Sequence, residues 1–115
     1  MLTSVQIPDS VTEINDRAFM HNALTNVIFG SSVGVIGHSA FQFNELEAVE
    51  FPNVLHFIGD NSFADNEPLV SVKIGPAVSI YTDSFFGDFW TVYNNAGKGA
   101  GHYKRVDASS SWSLV

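Results

Sequence analysis

The sequence predicts an α/β-type solenoid, a stack of four to five short coils with a parallel sheet along one side. Three observations carry that prediction. Segments opening at Leu2, Leu24, Leu46 and Leu69 align position for position, the third segment longer than the first two by one position. Each segment begins with the same strand-like string, L-x-x-V-x-(I/F). Each also carries a phenylalanine at one fixed offset, giving a column of Phe19, Phe41, Phe63 and Phe86. A period of this length behind such a strand is the pattern of leucine-rich repeats, whose units bury their apolar faces only by stacking.

The opening strand comes first. Val5, Val27, Val49 and Val72 stand just before Ile7, Phe29, Phe51 and Ile74, with one position between. Alternate residues of a strand share a face, so both columns point inward. Further along each coil, Val11, Val33, Leu55 and Val78 form a third apolar column, and Ile14, Ile36, Ile58 and Tyr81 a fourth. Next come Asn15, Gly37, Gly59 and Thr82, read as a tight bend because Gly and Asn tolerate positive φ. Ala18, Ala40 and Ser62 are small residues beside the phenylalanines, a rule that Phe85 breaks. Asn22, Asn44 and Asn66 are expected to form a ladder whose amides bind the backbone at the corner into the next strand, with Phe89 in the fourth place.

The string L-x-x-V-x-I-P-x-S-V-x-x-I-x-x-x-A-F from Leu2 to Phe19 resembles the BspA-like class of leucine-rich repeats, and the likeness extends over residues 1–90. The segment Tyr93–Arg105 with Trp112 is similar to the closing segment of such domains. The resemblance implies a concave parallel sheet and a convex side of short strands, turns and brief 3₁₀ or helical segments. It also implies export or the cell surface, and roles in adhesion and protein binding. It supplies no catalytic residue. The expected organisation is a solenoid over residues 1–90 and a C-terminal β cap over 91–115, with short strands at His102–Val106 and Trp112–Val115.

Composition narrows the function. The chain has 115 residues, no cysteine and a net charge of −7. Eleven acids against Arg17 and Lys73 leave residues 1–90 at −9, whereas residues 91–115 are at +2. An acidic body argues against nucleic acid, which demands Lys and Arg at its phosphates. No run of apolar residues is long enough to span a bilayer, and no secretory signal is visible, as expected of an intracellular chain or of one whose leader has been removed.

Outward strand positions define the candidate binding face, with Gln6, Asn26, Ile28, Glu50 and Lys73 as its residues and a protein or peptide as its partner. Glu50 and Lys73 are expected to attract each other as cross-strand neighbours. The first coil has no predicted cover. Leu2, Val5, Ile7, Val11, Ile14 and Phe19 are therefore the expected self-association edge, which predicts a homo-oligomer. Phe43 and Met20 read as core or flank packing. His21, His38, His56 and His102 do not share a column, so no metal site is expected, and no cofactor. His56 with Asp60, and His102 with Asp107 and Ser109, are the pairings that a catalytic reading would need. Gly97–Gly101 lacks the Ser or Thr of a phosphate loop.

Overall fold

The computed structural model describes residues 1–85 and 87–115. Strands from the repeats alternate between two sides of the coil. The leucine-led strands are β1 (Ser4–Gln6), β3 (Asn26–Ile28), β5 (Ala48–Glu50) and β7 (Ser71–Ile74). The second set is β2 (Glu13–Ile14), β4 (Val35–Ile36) and β6 (Phe57–Ile58). Helix α1 (Phe89–Asn95) and strands β8 (Gly101–Lys104) and β9 (Ser113–Leu114) follow. The segments expected to be 3₁₀ or helical on the convex side are runs of turns instead.

Pairing follows the repeat. β1 lies parallel to β3, β2 to β4, β4 to β6, and β5 to β7. The strands expected as one concave sheet are hydrogen-bonded in two pieces, β1–β3 and β5–β7–β8–β9, with a seam between β3 and β5. β8 joins β7 antiparallel and β9 joins β8 antiparallel. Both sets of strands feed one core, containing Val27, Val49 and Val72 from the leucine-led set and Ile14, Ile36 and Ile58 from the second set.

The phenylalanines queue as predicted, but with a different fourth member. Phe19 stacks on Phe41, Phe41 on Phe63 and Phe63 on Phe85, with centroids 5.3, 5.2 and 5.1 Å apart. Phe86, expected in that place, lies outside the described residues. The leucine count is off by one here because two changes of length cancel. The pairing of Glu50 with Lys73 spans one position more than the pairing of Val35 with Phe57, but the bridge from Phe57 to Ser79 returns to the shorter spacing. The last coil drops one residue in between. Ser84 thus takes the small position, its hydroxyl donating to the Gly59 carbonyl much as Ser62 donates to that of Gly37. Tyr81 leaves the isoleucine column and is half exposed.

The bend assignment is also corrected. Gly37 and Gly59 do not have positive φ; the left-handed residues are Arg17, Ser39 and Asn61, and again His21, Phe43 and Asp65. The two glycines answer a steric demand. A Cβ at Gly37 would lie 2.6 Å from the Asp16 amide nitrogen, and one at Gly59 2.6 Å from that of His38. Coils approach too closely there for any side chain.

The asparagine ladder is present. Oδ1 of Asn22, Asn44 and Asn66 accepts the amide N–H of Leu2, Leu24 and Leu46. Their Nδ2 groups donate to carbonyls of the phenylalanine turns, Asn66 to Phe41 and Phe63. The ladder's fourth place falls to Asp88, not Phe89, as far beyond Asn66 as Asn66 is beyond Asn44. The Asp88 carboxylate accepts the Trp112 N–H at 2.9 Å.

The C-terminal segment packs against the last repeat. Phe89, Tyr93, Tyr103 and Trp112 are buried, and Phe89 packs against Phe85, Tyr93, Tyr103 and Trp112. Burial raises the pKa of both tyrosine hydroxyls. Arg105 threads this layer, donating from Nε to the Leu69 carbonyl at 2.7 Å with its guanidinium over the Trp112 ring. Helix α1 straddles the boundary expected at residue 90.

Candidate functional site

The opening strands project alternate residues to solvent, which builds the face. Gln6 pairs in register with Ile28, and Glu50 with Lys73. Ile28 is 52% exposed, a branched aliphatic side chain offered to water. Lys73 Nζ lies 3.5 Å from Glu50 Oε1. Both partners are largely exposed, so the attraction contributes well under about 1 kcal/mol.

Four of the five candidate residues border one groove of about 470 Å³: Asn26, Ile28, Glu50 and Lys73, with Ser71 and His102 beside them. Gln6 lies at the β1 edge outside it. The groove sits on the seam between β3 and β5, where Val27, Phe29 and Val49 also reach its wall.

His102 is the residue that the repeat pattern misses. It follows the last repeat and enters the face only because β8 reverses and pairs with β7, setting His102 opposite Lys73. Its Nε2 lies 2.6 Å from the Ser71 Oγ. Burial lowers its pKa, Lys104 and Lys73 lower it further, and Glu50 opposes them.

Several residues of the first coil are less covered than their equivalents in the next. Leu2 is 48% exposed, while Leu24 and Leu46 in the same column are fully buried. Val5, Val11 and Phe19 are half-buried, although Val33 and Phe41 in the next coil are fully enclosed. Ile7 and Ile14 are buried within the coil itself. With Val5, Val11 and Phe19 they line an apolar groove of about 380 Å³.

The catalytic pairings do not form. Asp60 binds the His38 imidazole instead of His56, and His102 meets Ser71. Asp107 accepts from the Ser109 and Ser110 hydroxyls, bonds that lower its pKa. Phe43 stacks on His21 at the flank, centroids 4.4 Å apart. Among the described residues no three His, Asp or Glu side chains converge as metal ligands, and no helix is long and apolar enough to cross a membrane.

Stacked parallel coils with repeated leucine, valine and phenylalanine columns define a leucine-rich-repeat protein. The family model described as "BspA type Leucine rich repeat region" matches residues 1–92 in six copies, and the chain belongs to this family. Among solved structures it is similar to the pneumococcal vaccine antigen PcpA, with 30% identity and a TM-score of 0.61 over 68% of this chain and 20% of that one. It is also similar to a leucine-rich cell surface protein from Faecalibacterium prausnitzii A2-165, with 23% identity and a TM-score of 0.63 over 99% of this chain and 26% of that one. The second likeness is one of fold. The chain thus spans a fifth to a quarter of the length of these proteins. No curated protein matches it significantly.

Proposed function

We propose that the chain is a non-catalytic interaction module of a surface-type protein, binding a protein or peptide segment on its concave face. The observation that carries this reading is the groove at the β3–β5 seam, where Asn26, Ile28, Glu50 and Lys73 meet Ser71 and His102. Its mixture of one aliphatic anchor, one charge of each sign and several hydrogen-bonding groups suits a short peptide stretch. The acidic repeats speak against nucleic acid. In this reading residues 1–90 form the solenoid, and residues 91–115 cap its C-terminal end.

Selection of peptides from a displayed random library tests the proposal. Peptides enriched on the wild-type protein are expected to lose binding by about tenfold or more, about 1.4 kcal/mol, on Ile28→Asp or Lys73→Glu. Peptides that bind these variants as well as wild type would place recognition elsewhere.

A second reading has its own observation. The partly exposed Leu2, Val5, Val11 and Phe19 favour self-association through the first coil. Sedimentation over a wide concentration range should then show a mass that rises and returns to the monomer in Leu2→Asp/Val5→Asp. A wild-type mass that stays monomeric at every concentration counts against it.

A further inference from the structure

A second groove, of about 550 Å³, lies over the other sheet and is built in three rows. Glu13, Val35 and Phe57 stand in register on β2, β4 and β6 and form one wall. Asp16, His38 and Asp60, at the same position of successive coils, form the other. Between them run Gly37 and Gly59, where close approach of the coils forbids a side chain. The floor there is bare backbone. The row is bounded by Asn15 at one end and by the half-exposed Tyr81 at the other. Tyr81 stands there because the last coil is one residue short. Its ring meets Phe57 in a T-shaped contact at 5.9 Å. Neighbouring parallel strands lie about 4.8 Å apart, so the row from Asn15 to Tyr81 runs roughly 14 Å.

We propose that this trough binds a short neutral oligosaccharide lying across the coils. Three features select that chemistry. Aromatic rings at one end bury the apolar C–H face of a sugar while leaving its hydroxyls free. The polar wall is rich in acceptors for those hydroxyls. Asp16 Oδ1 accepts the His38 amide at 2.9 Å and Asp60 Oδ1 binds His38 Nδ1, which leaves the second carboxylate oxygens and His38 Nε2 for a ligand. The carboxylates are spread along the row, in separate coils, and do not converge on one point as a metal requires. Their charge also opposes any anionic ligand. The volume falls within the range of small-molecule sites, and the site is separate from the concave groove.

The test is an amide NMR titration of the whole chain with cellotriose, maltotriose and chitotriose at millimolar concentration. Saturable shifts of the Gly37, Gly59 and Tyr81 amides with at least one of the three are expected. Binding should fall by about tenfold, about 1.4 kcal/mol, in Tyr81→Ala and also in Asp60→Asn, which preserves shape. Unchanged amide spectra away from the trough would show that both variants fold. The proposal is overturned if none of the three sugars shifts these amides, or if a folded Tyr81→Ala binds as tightly as wild type. A lysine-rich peptide that shifts the same amides while the sugars do not would overturn it as well.

Discussion

Ser71 and His102, far apart in the chain, meet across the β7–β8 junction with Oγ 2.6 Å from Nε2. The contact ties the last repeat to the segment that follows it, at the rim of the concave groove. Burial and the positive charge of Lys104 and Lys73 both disfavour the imidazolium, and Glu50 offsets them in part.

The pH dependence follows from the sign of that shift. The folded state holds the His102 pKa below the ordinary value of 6.5, so the unfolded chain takes up the proton first. Its contribution is fully present above pH 6.5 and is lost as the pH falls through that value toward the folded pKa. NMR titration of the imidazole should show a midpoint below 6.5. His102→Gln should flatten this part of the stability profile, and a midpoint above 6.5 would refute the assignment.

Removing a ring from the phenylalanine column should cost more in the middle than at the edge. Phe41 is fully buried between Phe19 and Phe63, so Phe41→Ala is expected to destabilise by about 3–5 kcal/mol. Phe19→Ala should cost distinctly less, because Phe19 is already partly exposed. Urea denaturation of the two variants makes the comparison.

Asn66→Ala removes an amide that is fully buried and bonded to the backbone on both sides. Oδ1 accepts from Leu46, and Nδ2 donates to the carbonyls of Phe41 and Phe63. Each buried backbone group left without a partner costs about 1–3 kcal/mol. Asn22→Ala, at the half-exposed end of the ladder, should cost much less because water replaces the amide. Equal denaturation midpoints for the two would contradict this account.

Arg105→Lys is expected to destabilise even though it keeps the charge. The guanidinium donates from Nε to the Leu69 carbonyl at 2.7 Å and lies 4.8 Å from the Trp112 ring centroid. A lysine ammonium has neither the planar surface nor a donor at that position. Loss of about 1.5–3 kcal/mol, the range for a bond to a charged group, should appear as a lower melting temperature. Tryptophan fluorescence should report the loosened Trp112.

The inward columns of the first three coils, the asparagine ladder and the outward residues of the face were legible because a constant period carries each side chain to the same place in successive coils. Reading failed where the period changed. Counting from Leu69 puts Phe85 at the small-residue place and Tyr81 in a core column, whereas Phe85 stacks on Phe63 and Tyr81 is half exposed. A one-residue deletion is invisible when two phenylalanines are adjacent and either satisfies the pattern. The glycine column was seen, but its cause was misread, because steric crowding from a neighbouring coil leaves no local mark.

The sequence by itself determined the solenoid, its stacking period and the residues that hold one coil to the next, since these depend on local pattern repeated at fixed spacing. Only the tertiary structure decided that the concave sheet parts between β3 and β5, that His102 joins the groove, and that Asp60 pairs with His38. The spacing brings equivalent residues of adjacent coils together but does not say which of them hydrogen-bond, and His102 lies beyond the repeats, so packing in three dimensions settles all three.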